Sequence, residues 1–398
     1  MTAQFAFAKD HDFGAKTCLV RVDFNVPIQD GKISDDTRIR RVLPGLRRLL
    51  AQGARPVLIS HLGRPKGSVT DSLSLAPIAA HLSRLLAMPV PLIKDVLSQD
   101  AKQQIDQMSD GSLAMAENIR FWAGEEANDA EFTKSLAALG DVFIADAFSA
   151  AHRAHASTAG LARYLPAFAG DALGAELQAL QAALETPKRP VVAVVGGAKV
   201  STKLAVLENL VAKTDALILG GGMANSFLGA MGVDMKSSLS EPQLFDTARQ
   251  IMAAAKAANC QLILPVDGLA ATEFAKDAAY RAIDNDALDD KEMMLDIGPQ
   301  SIAQAVAALA DAKTVLWNGP MGAFEIPPFD KGTVALAQAA AERTKSGDLV
   351  SVAGGGDTVA ALNVAGVSDD FTYLSLAGGA FLEWLEGKDL PGIAVLAK

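Results

Sequence analysis

Two lysines near the middle of the chain follow a pair of glycines, at a point where a buried strand gives way to a helix. The stretch Val191–Lys203 reads VVAVVGGAKVSTK. Its first five residues are apolar and mostly β-branched, which predicts a strand covered on both faces in a parallel sheet. Glycines let backbone N–H groups approach an anion, and a helix beginning near Ala198 would add the positive end of its dipole. The sequence therefore predicts an anion-binding turn.

The two lysines of this stretch, Lys199 and Lys203, would stand four residues apart on one helical face. Two ammonium groups in that arrangement repel each other by about 0.2–0.5 kcal/mol on an isolated helix. A bound polyanion would remove the repulsion. An ordinary solvated helix start is the alternative interpretation.

Three further strand exits in the second half are rich in glycine. They read GGGMAN at Gly220–Asn225, NGPMG at Asn318–Gly322 and GGGD at Gly354–Asp357. In open parallel sheets ligands bind beyond the carboxyl ends of the strands, so four such loops predict a nucleotide cradle. Asp357 either caps the following helix or binds Mg²⁺. Glu325 is either a surface acid or a ligand of a ribose.

The first half carries guanidinium and imidazole groups at the corresponding places. Twelve of the 16 arginines and all five histidines precede residue 186. Polar residues at strand exits and helix starts are Asp23, Asn25, Arg38, His61, Arg64, Arg120, His152 and Arg153. Arginine forks suit phosphate and carboxylate groups, so this half predicts a pocket for a small, densely anionic ligand. Asp23 either orients a guanidinium or accepts a substrate hydroxyl, and His61 or His155 is either an acid–base group or a buried, hydrogen-bonded histidine.

The elements that must position these residues alternate along the chain. Short apolar runs and amphipathic stretches succeed one another, which predicts parallel strands joined by crossover helices. Strands are expected at 17–22, 56–60, 90–93, 112–115, 142–145, 191–195, 216–219, 261–264, 314–317 and 349–352. Helices are expected at 36–51, 75–87, 98–108, 129–139, 171–185, 241–258, 300–310, 331–343 and 358–364. Because 398 residues exceed one ordinary core, two domains are expected, with the helix at 171–185 as a rigid connection.

Composition and charge exclude several classes of partner. A formal net charge of −10 disfavours binding to a nucleic-acid backbone, which needs a basic footprint. The uncharged run Ala216–Val233 has nearly the length of a membrane span, but its GGG, Asn225 and Ser226 favour a strand, a loop and a helix start. The N-terminus carries no basic-then-apolar signal. Two distant cysteines, Cys18 and Cys260, favour reduced, buried thiols in a cytoplasmic protein.

A polyanion site with lysines and a metal in one half, and an arginine pocket in the other, indicate phosphoryl transfer across a cleft. Such transfer depends on positioning and on charge neutralisation. A carboxylate acceptor would need no general base, in keeping with the lack of an HRD-type catalytic loop, and no GxxxxGK[ST] motif is present either. One alternative is a nicotinamide-dependent dehydrogenase, although the GGAK loop lacks the GxGxxG pattern. Another is a noncatalytic nucleotide-sensing or scaffold protein. The presence of Arg38, Lys199, Lys203 and Asp357 argues against it.

Nine motifs, in order along nearly the whole chain, closely resemble phosphoglycerate kinase. They are RVDFNVP from Arg21, HLGRP from His61, AHRAHAS from Ala151, GGAKVSTK from Gly196, GGGMANSFL from Gly220, DIGP from Asp296, NGPMGAFE from Asn318, GGGDT from Gly354 and LEGKDLPG from Leu385. The resemblance implies two doubly wound parallel-sheet (Rossmann-like) α/β domains joined by a helix. The first would comprise residues 1–170 with about 380–398, because the C-terminal segment returns to it, and the second residues 171–379.

The resemblance also implies an activity, its ligands and its site residues. The activity is reversible transfer between 1,3-bisphosphoglycerate and ADP, giving 3-phosphoglycerate and ATP, by a monomer that uses Mg²⁺. By position, the 3-phosphoglycerate site is Asp23, Asn25, Arg38, His61, Arg64, Arg120 and Arg153. The nucleotide site is Lys203, Gly220, Gly221, Asn318, Glu325, Gly354, Gly355, Gly356 and Asp357, with Asp357 on the metal. Arg38 and Lys199 resemble the groups that neutralise the moving phosphoryl, one from each domain.

The chain departs from the family pattern in two places. Where the family usually reads STGGGAS, the sequence has Ser375–Phe381, so that Ala377 replaces a glycine and Phe381 a small polar residue. Ser149 and Ala150 stand where Gly-Thr is usual. Because every charged position is retained, we expect activity to survive both departures.

Overall fold

A computed structural model of the chain describes residues 5–397. The chain divides into two compact units. Unit 1 comprises residues up to Leu177 together with the segment from Asp389 onward, and unit 2 is Gln178–Lys388. The expected borders lay at 170/171 and near 380. Among residues 5–397, no helix combines the length and the apolar character needed to cross a bilayer.

Unit 1 is built on a six-stranded parallel sheet in the order β5-β6-β4-β1-β7-β8. The strands of unit 1, including the small hairpin β2-β3, are β1 Thr17–Val22, β2 Ile28–Gln29, β3 Lys32–Ile33, β4 Arg55–Ile59, β5 Leu92–Ile93, β6 Ala114–Ala116, β7 Val142–Asp146 and β8 Ala167–Ala169. Its helices are α1 Thr37–Ala51, α2 Ala76–Leu86, α3 Gln99–Asp106, α4 Ala123–Glu126 and α5 Ala130–Ala137. Strand β1 is buried along its whole length, as expected for a central strand of a parallel sheet. Helix α1 buries an apolar stripe against this sheet.

Unit 2 contains a second six-stranded parallel sheet, in the order β11-β10-β9-β15-β16-β17. Its strands are β9 Val191–Val195, β10 Ala216–Leu219, β11 Gln261–Ile263, β15 Thr314–Asn318, β16 Val350–Gly354 and β17 Tyr373–Ser375. The helices are α7 Leu204–Val211, α8 Gly221–Ala230, α9 Phe245–Ala257, α10 Pro299–Asp311, α11 Lys331–Lys345, α12 Gly356–Val364 and α13 Gly378–Leu385. The strand order reverses between β9 and β15, which makes their carboxyl ends a topological switch point. In unit 1 the reversal falls between β1 and β7.

A small antiparallel sheet in unit 2 was not expected from the sequence. It consists of β12 Asp267–Ala271, β13 Tyr280–Asp284 and β14 Met293–Ile297, in the order β13-β12-β14. Strand β12 reads DGLAA and lacks the β-branched residues that would have marked it as a strand. Its pairing partners lie more than eight residues away on either side, so tertiary contacts decide its conformation.

The helix expected at 171–185 is present over these residues, but its type changes along its length. Helix α6 spans Asp171–Leu180, and Gln181–Glu185 continue as a π-helical turn. The C-terminal segment returns to unit 1 through helix α14, Pro391–Ala394. There the N–H group of Gly392 donates to the carbonyl oxygen of Ala151 over 2.8 Å, and Phe5 bridges to Ala397.

Candidate functional site

The carboxyl end of β1 places Asp23 at the switch point of unit 1. Its carboxylate accepts a hydrogen bond from Arg38 Nη1 in the first turn of α1, over 2.5 Å, and another from the Ser149 hydroxyl. Burial raises the pKa of Asp23, but the nearby His61, Arg38, Ser149 and Arg21 side chains together lower it by more, so this pKa lies below its usual value. Asp23 is thus an ionised acid that orients Arg38, one of the two roles left open by the sequence.

Three loops of unit 1 are tied together around this carboxylate. The side-chain oxygen of Asn25 accepts from the N–H group of Gly63 over 3.0 Å, which joins the loops after β1 and β4. Arg120 Nη1 donates to the carbonyl oxygen of Gly63 over 2.8 Å, which brings in the loop after β6. Arg120 is buried, and its Nε lies 3.2 Å from Glu126 Oε1.

The remaining positively charged residues of the predicted pocket differ in exposure. Arg64 is exposed on the loop after β4, whereas Arg153 is half-buried in the loop after β7. His61 is buried beside Asp23, and its Nδ1 lies 3.1 Å from Arg21 Nη2. Burial and then the Arg21 charge lower the pKa of His61 well below 6.5. His155 is also buried, and its Nδ1 lies 3.7 Å from Glu125 Oε1. Desolvation is the main reason that the pKa of His155 falls to about 4.

The switch point of unit 2 holds the second set of predicted residues. Lys203 Nζ donates to the carbonyl oxygens of Gly196 and Asn318, over 2.7 and 2.9 Å, and so links the loops after β9 and β15. Burial lowers the pKa of Lys203 to about 8, partly offset by Asp357. Asn318 Nδ2 in turn donates to the carbonyl oxygen of Gly354, which links the loop after β16. The N–H group of Gly221 donates to the carbonyl oxygen of Met321 over 2.7 Å, which adds the loop after β10. The structure therefore brings together all four glycine-rich exits through hydrogen bonds.

The buried acceptor Asn318 Oδ1 has no hydrogen-bond partner among the described residues. Leaving a buried acceptor without a hydrogen bond costs about 1–3 kcal/mol, so such atoms commonly bind water or a ligand. Because the backbone oxygen of the same residue accepts from Lys203, this atom belongs to the cluster of glycine-rich loops.

A cavity of about 340 Å³ opens beside these loops in unit 2. Among the predicted residues, Gly221, Glu325 and Asp357 line it, together with the apolar side chains of Leu239 and Phe274. Its volume and its mixture of apolar walls and a few polar groups are typical of small-molecule sites. Gly220, Asn318, Lys203 and Gly354–Gly356 lie in the adjoining loops rather than in the cavity wall.

The expectation that Lys199 and Lys203 share one α-helical face is wrong. Lys199 is extended, with φ −137° and ψ 132°, Val200–Thr202 form a single 3₁₀ turn, and α7 begins only at Leu204. Glu241 gives the physical reason, because its carboxylate accepts from the N–H group of Ser201 over 2.9 Å and takes the place of an intrahelical partner. As a result Lys199 is exposed, whereas Lys203 is partly buried against the loops.

Two glycines of these loops are required by close approach of the backbone. A Cβ atom on residue 196 would lie 1.8 Å from the carbonyl oxygen of Pro320, and one on residue 220 would lie 2.6 Å from Met321 Cα. Real Cβ atoms do not approach a backbone so closely. These glycines therefore allow the loops after β9, β10 and β15 to pack at one edge of the sheet.

We expect Gly196→Ala to lower the free energy of unfolding by about 3 kcal/mol, because the Pro320 backbone must shift. Urea unfolding followed by the fluorescence of buried Trp317 measures the change. The matched control is Gly356→Ala, since a Cβ there meets nothing within 4 Å, and it should change stability by less than about 1 kcal/mol. Equal midpoints for the two variants would contradict the packing argument.

Both departures from the family pattern have a structural explanation. Phe381 in α13 is fully buried, and a Cβ on residue 354 would lie 2.7 Å from its ring. The ring therefore packs against the backbone at the carboxyl end of β16 and supports the loop that follows. Ser149 supplies the hydroxyl that donates to Asp23, a contact that glycine could not make.

Several residues that shape the two sites were not singled out from the sequence. Arg21, Ser60, Glu125, Ser157, Glu241 and Thr358 all contact site residues or their loops. Only Arg21 carried a signal, as a charged residue within an otherwise apolar strand. The others lie far along the chain from their partners, and single residues of these types are common at helix starts.

Comparisons with known proteins agree on one family. A family model described as "Phosphoglycerate kinase" matches residues 8–388. The curated phosphoglycerate kinase of Azorhizobium caulinodans is 54% identical over 394 residues, which cover 99% of each chain, and that of Methylorubrum extorquens strain PA1 is 56% identical over 381 residues, covering 96% of this chain and 95% of the other. The solved structure of phosphoglycerate kinase from Coxiella burnetii is 45% identical, with a TM-score of 0.93, and covers 99% of this chain and 100% of its own. The chain belongs to the phosphoglycerate kinase family and is therefore a phosphotransferase enzyme.

Proposed function

We propose that the chain catalyses the reversible transfer of a phosphoryl group between 1,3-bisphosphoglycerate and ADP, giving 3-phosphoglycerate and ATP, in glycolysis and gluconeogenesis. One observation carries the proposal: each unit has an anion-suited cluster at the switch point of its own parallel sheet. Family membership supports the choice of these two ligands. We further propose a monomeric, cytoplasmic enzyme.

Unit 1 is the proposed 3-phosphoglycerate domain. Its guanidinium groups, Arg38, Arg64, Arg120 and Arg153, suit a ligand that carries one phosphate and one carboxylate. Asp23 binds the hydroxyl group of the ligand, and Asn25 maintains the geometry of the loop. His61 donates a hydrogen bond to the ligand. Because Asn25 and Arg120 both bond to Gly63, the pocket is organised before the ligand arrives.

Unit 2 is the proposed nucleotide domain. The cavity beside Gly221 and Glu325 suits the base and ribose, and the loops at Gly220, Asn318 and Gly354–Gly356 suit the phosphates through their N–H groups. Lys203 adds a positive charge that two carbonyl oxygens hold in place.

Asp357 is the proposed protein ligand of Mg²⁺. It is an exposed carboxylate in the first turn of α12 and lines the cavity. Among residues 5–397, no group of three or more His, Cys, Asp or Glu side chains is placed to hold a metal ion. One carboxylate fits Mg²⁺ better than a metal that needs an all-protein cage, because Mg²⁺ commonly keeps water and phosphate ligands. When bound, the ion neutralises phosphate charge.

The proposed mechanism relies on positioning and charge. The acceptor carboxylate of 3-phosphoglycerate is already ionised, so no residue needs to remove a proton. Arg38 of unit 1 and Lys199 of unit 2 neutralise the charge on the moving phosphoryl group. Because they belong to different units, we propose that the units close around the ligands by hinge motion near Asp171–Glu185 and the C-terminal return.

A coupled assay tests the proposed function. Purified protein is supplied with 3-phosphoglycerate and MgATP, and formation of 1,3-bisphosphoglycerate is followed through NADH oxidation by added glyceraldehyde-3-phosphate dehydrogenase. The expected result is turnover that requires both substrates and Mg²⁺. Absence of turnover in a folded preparation, with nucleotide binding retained, would favour a noncatalytic sensor. Binding of a nicotinamide cofactor with no response to ADP would favour a dehydrogenase.

We expect kcat/KM for MgATP to fall as the pH rises through about 8. Lys203 has a pKa of about 8 in the free protein because of burial, so its positive charge is lost there, and kcat/KM reports the free enzyme. Stability should change in the opposite direction. The unfolded chain keeps the Lys203 proton up to about 10.5, so between pH 8 and 10.5 the unfolded state binds more protons and stability rises with pH.

The control for this prediction is Lys203→Arg, whose guanidinium stays charged throughout the range. Its kcat/KM will be lower, but the alkaline decrease should disappear. An unchanged alkaline decrease in Lys203→Arg would assign the titration to another group.

A further inference from the structure

Arg21 is a fully buried arginine in the middle of the unit 1 sheet. It is 2% exposed and lies in β1, two residues before Asp23. All three of its nitrogens have partners. Nε donates to Ser157 Oγ over 2.9 Å, Nη1 donates to the carbonyl oxygen of Val22, and Nη2 lies 3.1 Å from His61 Nδ1. A charge in such a place needs compensation by hydrogen bonds and by an opposite charge.

The contact between Arg21 and His61 decides where the imidazole proton lies. A guanidinium can only donate hydrogen bonds, so Nδ1 of His61 must accept. A neutral imidazole that accepts at Nδ1 carries its proton at Nε2. A doubly protonated ring would place an N–H group of His61 against an N–H group of Arg21. Asp23 Oδ1, at 4.0 Å from Nδ1, is too far to accept a hydrogen bond from it.

Two further residues hold Arg21 in this orientation. Ser157 Oγ accepts from Arg21 Nε and donates to Glu125 Oε1 over 2.6 Å. The N–H group of Ser157 donates to the other oxygen of Glu125 over 2.9 Å. Ser157 and Glu125 are completely buried, so this chain of hydrogen bonds is shielded from water. Glu125 thereby balances the charge of Arg21 across one hydroxyl group.

We propose that Arg21, held by Ser157 and Glu125, is a positioning residue that keeps His61 as the neutral tautomer protonated at Nε2. Unit 1 then presents a fixed, uncharged hydrogen-bond donor to its anionic ligand. His61 accordingly takes no part as an acid or base. Only the identity of that ligand as 3-phosphoglycerate rests on the proposed function, and the tautomer does not.

The charges around the ring support this assignment. Asp23 favours a protonated ring, whereas Arg21, Arg120 and Arg153 disfavour it. Burial disfavours the charged ring more strongly than any of these groups, so the pKa of His61 lies well below 6.5. A ring that stays neutral across the physiological range gives the pocket a hydrogen-bond donor whose strength does not vary with pH.

The test measures the tautomer directly by long-range ¹H–¹⁵N correlation on protein labelled at histidine. The chain has only five histidines, and loss of one spin system in His61→Gln assigns the resonances. The wild-type protein should show His61 protonated at Nε2 alone, with no titration between pH 8 and pH 5.5. Protonation at Nδ1, or an ordinary titration near pH 6.5, would overturn the proposal without any assay of activity.

A variant separates positioning from mere stability. Ser157→Ala removes the hydroxyl between Arg21 and Glu125, and the control Ser301→Ala removes a hydroxyl that donates to the buried Asp267 in unit 2, also over 2.6 Å. Ser157→Ala should let His61 titrate at higher pH and raise KM for 3-phosphoglycerate about 2–10-fold, the value of one hydrogen bond, with kcat nearly unchanged.

The control fixes the interpretation. Ser301→Ala should lose stability but leave the His61 spectrum and this KM unchanged. Identical His61 spectra for the two variants would refute the positioning role of Ser157. If the wild-type protein gives the expected spectrum but no turnover, the proposed function fails and the tautomer assignment stands.

Discussion

Arg38→Ala is expected to lower kcat by about 10³-fold, the magnitude found when an arginine that stabilises a transferring phosphoryl is removed. Arg38 lies in the first turn of α1, where the positive end of the helix dipole disfavours a cation. Asp23 offsets this effect and fixes the guanidinium over 2.5 Å, while about a third of the side chain stays exposed. An arginine held in this way can reach a ligand without losing its orientation.

Single-turnover and steady-state kinetics with 3-phosphoglycerate and MgATP measure the effect. KM for 3-phosphoglycerate should change much less than kcat, because the charge that Arg38 neutralises grows in the transition state. Arg40→Ala is the matched control, since Arg40 lies on the same helix but is 61% exposed and pairs with the acid Asp36. A wild-type kcat for Arg38→Ala, or equal losses for both variants, would remove Arg38 from the mechanism.

Lys199→Ala is expected to lower kcat by about 10²–10³-fold, comparable to the loss of one group that stabilises developing charge. Lys199 is exposed to solvent, and its charge interacts with the carboxylate of Glu241. A charge of this kind is available to a ligand group that arrives only during the reaction. Binding of the ground-state nucleotide should therefore change little.

Lys203→Met provides the comparison for this prediction. Lys203 is tied to the carbonyl oxygens of Gly196 and Asn318, so its loss should disturb the loops and raise KM for MgATP. Lys256→Ala, at an exposed position of α9, serves as the neutral control. If Lys199→Ala raised KM for MgATP and left kcat unchanged, Lys199 would be a nucleotide-binding residue rather than a catalytic one.

The parallel strands were the part of the fold that local sequence predicted best. The run Val191–Val195 predicted a strand covered on both faces, because such strands favour hydrophobic residues at every position. The mostly apolar run Thr17–Val22 predicted the first strand of the chain. The glycine-rich strand exits could also be predicted from local sequence, because positions such as Gly196 tolerate no Cβ atom. Local sequence thus predicted where the chain turns and which side of each sheet carries polar groups.

Arrangements made by distant residues could not be read in this way. The carboxylate of Glu241, 40 positions along the chain, accepts a hydrogen bond from the N–H group of Ser201. A 3₁₀ turn forms there instead of the expected α-helix. Strands β12–β14 form a sheet although β12 has little strand propensity, because pairing along its length outweighs local preference.

The sequence alone determined the fold class, the strand exits and the residue types at both candidate sites, because these depend on the periodicity and chemistry of short segments. The tertiary structure alone decided how those residues are held. Arg21 and Ser157 are 136 positions apart and Asp23 and Ser149 are 126 apart, yet each pair forms a hydrogen bond. No local pattern records such contacts, since they arise only when the sheet places β1 beside β7 and brings their loops together.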